Sequence, residues 1–359
     1  MPDYPSLIVD SHLDLAFNAL HLRRDLTQAA SSVRESDAAA VREEFGTSTV
    51  TLPELRRGRI GIVFGTIMVR IDPAGSYAGS GMRVQTQCYG AGRGHAAYYE
   101  VLERAGEIRI IRTARDLEEH ARLWKTAVDT AKTPLGVVLA MESSDPIMDP
   151  EQVEHWHGIG LRCASLSHYG VGSWAHGTRT EGGLFSRARG LLEAFERRGI
   201  ILDVTHLTDP GFREALDIYH GPVLASHHNC RALVPGQRQL DDDMLRALIE
   251  RDAVIGTSFD LWMLDTRFER GKKNPRRVGL EAVADHIDHV CQLAGSSRHA
   301  AIGSDLDGGF GVEQSPTGLD TIADVRDLAA VFDRRGYKHA DQESIFSGNW
   351  IRLLGRVLR

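Results

Sequence analysis

The sequence predicts an α/β fold: a (β/α)₈ barrel with loop insertions, in a single domain spanning residues 1–359. Short runs rich in Val, Ile and Leu recur along the chain, and amphipathic segments of helical period separate most of them. Continuous apolar strands that alternate with helices indicate a parallel sheet buried on both faces. No glycine-rich phosphate loop follows the first run, which disfavours an open doubly wound sheet.

Eight apolar runs are the candidate strands of this barrel. They span residues 7–9, 60–69, 135–141, 161–166, 200–204, 222–225, 253–257 and 300–303. Apolar residues recur at helical spacing in segments 187–198, 241–251 and 280–293, and residues 341–358 are predicted as a closing helix. Insertions are predicted at about residues 21–59, 72–93 and 261–277. The second is rich in Gly and Ser, so we expect a loop over the barrel mouth.

Composition excludes several classes of protein. The formal net charge is −7 and no long basic run occurs, which argues against a nucleic-acid partner. No apolar stretch reaches about 18 residues, so no membrane span is expected. The first residues lack the basic start and long apolar run of a signal peptide. We therefore expect a cytoplasmic protein whose four scattered cysteines are reduced thiols.

Polar side chains follow six of the eight predicted strands. They are His12 and Asp14 after the first, Glu142 after the third, His168 after the fourth, Asp203 and His206 after the fifth, His227 and His228 after the sixth, and Asp305 and Asp307 after the eighth. Strands two and seven end in no comparable group. Barrel enzymes build their sites at this end of the strands, so these side chains should converge. Without a cation or substrate, such a buried polar cluster would be costly.

The residue types and their spacing point to metal-dependent hydrolysis. His12 and Asp14 lie two apart and face the same side of a strand, so they can bind one cation together. His206 and His227, from adjacent strands, could hold a second metal, and Glu142 has two oxygens with which to bridge both ions. These ligands suit Zn²⁺ and its neighbours. Two such ions would activate a shared water and polarise a carbonyl, and Asp305 could accept the proton of that water and return it to the leaving amine.

Lysine chemistry is disfavoured by position. The chain has only five lysines, and none of them lies at a predicted strand end. A Schiff-base mechanism would need one there, and so would a metal bridge built on a modified lysine. Glu142 is therefore the better candidate for the bridging ligand.

An ordered set of motifs carries a resemblance to a known family. The segments are DSHLDL at 10–15, ME at 141–142, LSHY at 166–169, LDVTH at 202–206, PVLASHHNCRAL at 222–233, IGSDLDG at 302–308 and GN at 348–349. On these motifs the chain resembles the membrane-dipeptidase (renal dipeptidase-like) family of zinc peptidases, among the amidohydrolase-type barrels. The resemblance implies a (β/α)₈ barrel with a binuclear zinc site, and hydrolysis of free dipeptides by a metal-bridged hydroxide.

The resemblance also implies roles for individual residues. His12 and Asp14 match the ligands of one metal, His206 and His227 match those of the other, and Glu142 matches the bridging carboxylate. His168 matches a histidine that contacts the substrate or its tetrahedral intermediate, and Asp305 matches the catalytic acid/base. Arg238 matches an arginine that binds the C-terminal carboxylate of the substrate, which a bidentate guanidinium suits. Arg231 is the alternative anion-binding residue. Barrels of this type often form homodimers, but the sequence identifies no interface.

The chain departs from the family pattern next to the site. Two small glycines commonly follow the bridging glutamate, whereas Ser143-Ser144-Asp145 stands here. This difference motivates an alternative substrate class, N-acyl-amino acids or β-lactam-type amides, on the same metal site. A third hypothesis is a barrel that has lost catalysis and serves as a binding protein. The sequence leaves open the dipeptide, the stereochemistry at its C-terminal residue (a D-residue is one option) and the native metal.

Overall fold

The computed structural model describes residues 4–72 and 81–358. Within these ranges, eight parallel strands form the barrel, and each predicted apolar run overlaps one of them. The strands are β1 (Ile8–Leu13), β2 (Ile60–Met68), β3 (Leu135–Glu142), β4 (Leu161–Ser165), β5 (Ile201–Asp203), β6 (Val223–Leu224), β7 (Ile255–Thr257) and β8 (Ala300–Ile302). Three further short strands lie outside this set: Arg70–Ile71, Gly81–Met82 and Ile108–Ile110. The prediction of a barrel with eight strands is confirmed.

The strands follow one another around the barrel in chain order. β1 to β6 form one parallel sheet, β7 pairs with β8, and a parallel bridge from Ala225 to Ile255 connects the two sheets. Side chains cross the seam between β8 and β1. The Ser11 hydroxyl lies 3.1 Å from the carbonyl oxygen of Ile302, and Ser304 N donates to Asp10 Oδ1 at 2.9 Å. The curled sheet is therefore closed by polar side chains of β1.

Two glycines make room for this closure. A Cβ atom at Gly303 would lie 1.8 Å from the carbonyl oxygen of Ser226, and one at Gly256 would lie 2.1 Å from the same oxygen. Any larger residue would therefore collide with the backbone that precedes His227. The same carbonyl oxygen accepts a hydrogen bond from Ser11 at 2.5 Å, so the interior of the barrel is packed at backbone-to-backbone distance here.

Helices cover the outside of the barrel. The α-helices are Leu15–Leu20, Ala30–Ser36, Ala39–Phe45, Leu52–Arg57, Gln85–Arg104, Ala114–Thr126, Val153–Gly158, Ala188–Arg198, Asp209–Ile218, Asp242–Glu250, Leu280–Ala294, Leu328–Arg334, His339–Glu343 and Asn349–Val357. A π-helical segment, Ser344–Gly348, and five 3₁₀ segments complete the set in the described ranges: Pro150–Gln152, Leu261–Met263, Ser297–His299, Val312–Gln314 and Ile322–Asp327. In these ranges, none of the helices has the length and apolar character needed to cross a membrane.

Local sequence explains where these helices begin and end. Thr113 and Asp116 form a reciprocal capping box at the start of Ala114–Thr126. The Asp241 side chain accepts a hydrogen bond from Met244 N and so caps Asp242–Glu250. Gly199 ends Ala188–Arg198 in the left-handed conformation, at φ 68°. The capped helices bury their apolar faces against the barrel, as the predicted helical spacing requires.

The predicted loop at 72–93 is partly wrong. Residues 73–80 lie outside the described ranges, but Gln85 to Arg93 form the first turns of Gln85–Arg104. Glycine lowers helix propensity, which is why this stretch appeared loop-like. Tertiary packing compensates, because a Cβ at Gly92 would lie only 3.1 Å from Pro146 and the helix lies close against the chain there. The segment at 261–277 contains only a 3₁₀ turn, as an insertion would.

Candidate metal centre

A cavity of about 590 Å³ opens where the barrel strands end. Seven of the eight predicted site residues line it: Asp14, Glu142, His168, His206, His227, Arg238 and Asp305. The eighth, His12, is buried and lies 3.5 Å from a carboxylate oxygen of Glu142. Strand β1 continues to Leu13, so His12 belongs to the strand and Asp14 follows directly after it. The structure therefore brings all of the predicted site residues together.

The two carboxylate oxygens of Glu142 face different histidines. Oε1 lies 3.1 Å from His206 Nε2 and 3.5 Å from His227 Nε2. Oε2 lies 3.5 Å from His12 Nε2. A carboxylate placed in this way can bind one ion with each oxygen, which is the geometry that bridging requires.

Overlapping groups of ligand atoms surround Glu142. They are Glu142 with His206 and His227, His12 with Asp14 and Glu142, and His12 with His227 and Asp305. Within each group the ligand atoms lie within 4.8 Å of one another. Nε2 of His206 and Nε2 of His227 face each other at 3.2 Å, and the buried Nε2 of His12 makes no hydrogen bond within the described part of the chain. Imidazole nitrogens in this arrangement fit divalent cations such as Zn²⁺.

The charges of the ligand groups around Glu142 also favour binding of a cation. Burial lowers the pKa of His12, but the carboxylates of Glu142, Asp14 and Asp305 outweigh it and raise that pKa to about 10. Burial, and next to it the charge of Glu142, raises the pKa of Asp14 to about 7. Burial opposes the charged form of Glu142 as well, but His168 and His12 outweigh it and hold the pKa of Glu142 well below its usual range. Asp14 and Asp305 share this buried space, and their raised pKa values show that they bind protons more readily where no further positive charge is supplied. Bound metal ions would supply that charge instead.

Asp305 and His168 have pKa values shifted in opposite directions. Burial raises the pKa of Asp305 well above its usual range, and Glu142 and Asp14 add to the shift against the opposing effect of His12. Burial lowers the pKa of His168 to about 3, so its imidazole is neutral near pH 7. A neutral imidazole can donate one hydrogen bond to a developing oxyanion. A carboxylate with a raised pKa suits proton transfer near neutral pH.

Polar side chains behind the ligands orient the imidazoles. His227 Nδ1 lies 2.9 Å from Ser226 Oγ, and that hydroxyl donates to Asp203 Oδ2 at 2.5 Å. His12 Nδ1 lies 3.5 Å from the same hydroxyl. Such contacts hold Nδ1 as the donor and leave Nε2 free to bind metal. Asp203 thus supports the candidate ligand histidines from behind.

We expect Ser226→Ala to weaken metal binding by about 10- to 100-fold, because the hydroxyl connects two ligand imidazoles to Asp203. Titration against a zinc chelator measures this directly. Ser144→Ala is the matched control, since the buried Ser144 hydroxyl donates only to the Ser165 carbonyl, at 2.6 Å. Equal weakening in both variants would contradict the role of Ser226.

Strands β2 and β7 also contribute to the site, although the sequence interpretation assigned them nothing. Thr66, in β2, donates a very short hydrogen bond to Asp14 Oδ1, and Arg70 and Asp72 beyond it line the cavity. Asp260 lines the cavity after β7. The sequence contained an indication that Asp260 belongs to the site. Asp260 lies three residues after the end of β7, just as Asp305 lies three residues after the end of β8.

The structure separates the two candidate anion-binding arginines. Arg238 lines the cavity and is buried, with an exposed fraction of 4%. Its Nη2 donates to the carbonyl oxygen of His227 at 2.9 Å, and its Nη1 has no hydrogen-bond partner among the described residues. Arg231 instead donates to both carboxylate oxygens of Asp209, at 2.8 and 2.7 Å. Arg238 is thus the arginine that remains available to an anion in the cavity.

The profile of the membrane dipeptidase family, peptidase family M19, matches residues 4–358. The chain belongs to this family. Dipeptidase aclJ of Aspergillus oryzae is 32% identical over 206 residues, which are 56% of this chain and 46% of that protein. An uncharacterized dipeptidase of Schizosaccharomyces pombe is 26% identical over 234 residues, 64% of this chain and 55% of that protein. The chain thus spans about half the length of these curated relatives.

Solved structures of the M19 family share the fold. Dipeptidase AC, a metallopeptidase of family M19, superposes with a TM-score of 0.79 at 24% identity, covering 98% of both chains. A metallopeptidase from Rhodobacter sphaeroides, liganded with a phosphinate mimic of the dipeptide L-Ala-D-Ala, superposes with a TM-score of 0.80 at 23% identity. That match covers 99% of this chain and 100% of the other. The likeness extends over the whole barrel and its covering helices.

Proposed function

We propose that this M19 protein is a dipeptidase that holds two divalent metal ions, most simply Zn²⁺, and hydrolyses free dipeptides, including those with a D-residue at the C-terminal position. His12 and Asp14 would bind one ion, and His206 and His227 would bind the other. Glu142 would bind both ions. The observation that carries the proposal is the Glu142 carboxylate, whose two oxygens lie within 3.5 Å of the nitrogens of different histidines.

Three side chains of the cavity would perform the remaining tasks. The ions, when bound, supply an activated water and polarise the scissile carbonyl. Arg238 binds the C-terminal carboxylate and thereby positions the peptide bond. The neutral His168 imidazole donates a hydrogen bond to the carbonyl oxygen as negative charge develops there. Asp305 accepts the proton of the attacking water and returns it to the leaving nitrogen, so the C–N bond breaks as the amine departs.

Hydrolysis of a panel of L,L and L,D dipeptides by zinc-loaded protein tests this function. Turnover of at least one dipeptide, faster than that of any N-acyl-amino acid or β-lactam, is the expected result. The reverse ranking would favour the alternative substrate class. Absence of both metal and turnover after loading would favour a binding protein.

The residues that motivated the alternative class are engaged elsewhere. Ser144 donates to the Ser165 carbonyl. The Asp145 carboxylate accepts from Ile71 N and from Ser173 N, each at 2.7 Å. Neither Ser144 nor Asp145 lines the cavity. Their hydrogen bonds connect chain segments next to the cavity, which supports a structural reason for the departure from the family pattern over a change of substrate.

We expect Arg238→Met to raise the KM for dipeptides by about 10- to 100-fold, since a charge-assisted hydrogen bond to the substrate carboxylate is lost. Steady-state kinetics with a dipeptide and with its C-terminal amide measures the effect, because the amide lacks the charge and should be affected less. Arg231→Met is the matched control, and we expect it to leave the KM close to that of the wild type. A larger effect at Arg231 would reassign the anion-binding residue.

A further inference from the structure

Asp260 is a buried carboxylate in the cavity, and it forms no ion pair with any residue that the structure describes. Its exposed fraction is 5%, and it lines the same cavity as the metal cluster. Its hydrogen bonds all reach one oxygen: Gln314 Nε2 donates to Oδ1 at 2.6 Å, and Trp262 N donates to Oδ1 at 3.1 Å. Within the described residues, Oδ2 accepts no hydrogen bond, so one oxygen remains for a ligand.

The other acidic side chains of the cavity already have partners. Asp14, Glu142 and Asp305 belong to the groups that can hold metal ions. Asp72 accepts from Arg70 Nη2 at 3.1 Å. Asp260 belongs to none of these groups and forms no ion pair in the described ranges. A buried charge without a partner is costly, and a cationic group of the substrate would offset that cost.

We infer that Asp260 receives the α-ammonium group of the substrate, so that the cavity selects peptides with a free amino terminus over N-acylated amino acids. This inference rests on the proposed function and specifies its substrate class. Asp260 thereby becomes a specificity-determining residue, and Gln314 positions its carboxylate.

The charges of the cavity match a zwitterion. An extended dipeptide spans about 7 Å between its terminal charges. Among the described residues that line the cavity, Arg238 is a buried guanidinium without an ion pair and Asp260 is a buried carboxylate without one. The α-ammonium nitrogen is two bonds from the scissile carbonyl carbon, so its receptor must lie in the same cavity as the reacting atoms. Asp260 meets this requirement, since it lines the cavity together with Glu142 and Asp305.

The electrostatics of Asp260 allow it to act as an anion. Burial raises the pKa of Asp260 to about 6, against the hydrogen bonds from Gln314 and Trp262 and the charges of Arg270 and Arg238. The carboxylate is therefore ionised near pH 7 and above. Arg270 forms no ion pair with Asp260 among the described residues, and its guanidinium stacks on the Trp262 ring, 4.1 Å from the centroid. An ammonium group next to Oδ2 would favour the charged form further.

The test compares two ligands that differ only in the amino group. Alanyl-alanine and propionyl-alanine have the same carbon skeleton, and propionyl-alanine lacks the ammonium. We expect the zinc-loaded wild type to favour alanyl-alanine by about 100-fold in kcat/KM, and Asp260→Asn to reduce that preference by about 10- to 100-fold. Asp72→Asn is the matched control and should retain the preference, because Asp72 is already paired with Arg70.

Binding measurements separate recognition from turnover. Calorimetry with a phosphinate mimic of alanyl-alanine, and with the same mimic lacking its amino group, should show the same loss of discrimination in Asp260→Asn. Parallel losses for both ligands would overturn the inference, because they indicate a general structural role. A wild type that hydrolyses both substrates equally would overturn it too, while leaving the metallohydrolase intact. A wild type that neither hydrolyses nor binds any of the ligands would overturn the dipeptidase function itself, and the inference with it.

Discussion

Glu142→Ala is expected to lose most of its bound metal and to lower kcat by about 1,000-fold or more. Its carboxylate is the group common to the histidines on both sides of the site, so its removal takes a ligand from each ion. The charge stabilisation that metals supply amounts to several kcal/mol, which corresponds to about three decades in rate. Elemental analysis of metal per chain, with kinetics on the same samples, measures both effects.

Glu313→Gln is the control for Glu142→Ala. The Glu313 carboxylate contacts Thr47, at 2.6 Å from its hydroxyl, and belongs to none of the groups that can hold a metal. We expect the Glu313→Gln variant to retain about two metal ions per chain, as we expect for the wild type. One metal per wild-type chain would contradict the bridged site and call for a mononuclear mechanism. No metal, even after incubation with zinc, would contradict the metalloenzyme altogether.

Asp305→Asn is expected to reduce kcat by about 100- to 10,000-fold while metal content stays near that of the wild type. The amide cannot accept the proton of the attacking water, and a positioned base contributes a factor of this size. Asp305 Oδ1 lies 3.9 Å from His12 Nε2, close enough that a ligand role is the competing explanation. Metal analysis distinguishes the two, because loss of a metal in Asp305→Asn would make Asp305 a ligand.

Asp307→Asn is the matched control, because the same change is made two residues away. Asp307 accepts hydrogen bonds from Thr49 N at 2.8 Å and Val50 N at 3.0 Å, and Arg24 lies 3.6 Å from its carboxylate. It connects the segment before β2 to the loop after β8. We expect a lower midpoint of thermal unfolding and a much smaller effect on kcat than in Asp305→Asn. The opposite pattern would exchange the roles of the two aspartates.

Backbone conformation at two site residues shows what local sequence does not reveal. His206 has φ 70° and Asp305 has φ 60°, in the left-handed region that non-glycine residues rarely adopt. Asp and His tolerate this region better than most non-glycine residues, but the conformation still costs free energy and the surrounding packing has to maintain it. The orientation of these two side chains therefore depends on the packing of the whole barrel.

Several features of this protein are determined by the sequence alone. The eight strands were predictable because short, continuous runs of Val, Ile and Leu are typical of parallel strands that are buried on both faces of a sheet. The site residues were predictable because parallel strands end on the same side of the barrel. His12, Glu142, His206 and His227 therefore had to converge once the fold class was known. Membership of the M19 family follows from the same ordered motifs.

Other features were decided only by tertiary structure. Sequence could not choose between Arg231 and Arg238, because the choice depends on Asp209, which lies in the helix Asp209–Ile218 and pairs with Arg231. Nor did it assign Asp260. That residue is significant because it is buried in the same cavity as the candidate metal ligands and forms no ion pair among the described residues. These properties depend on contacts between segments distant in sequence. Local periodicity and residue type carry no information about which partner a buried charge finds.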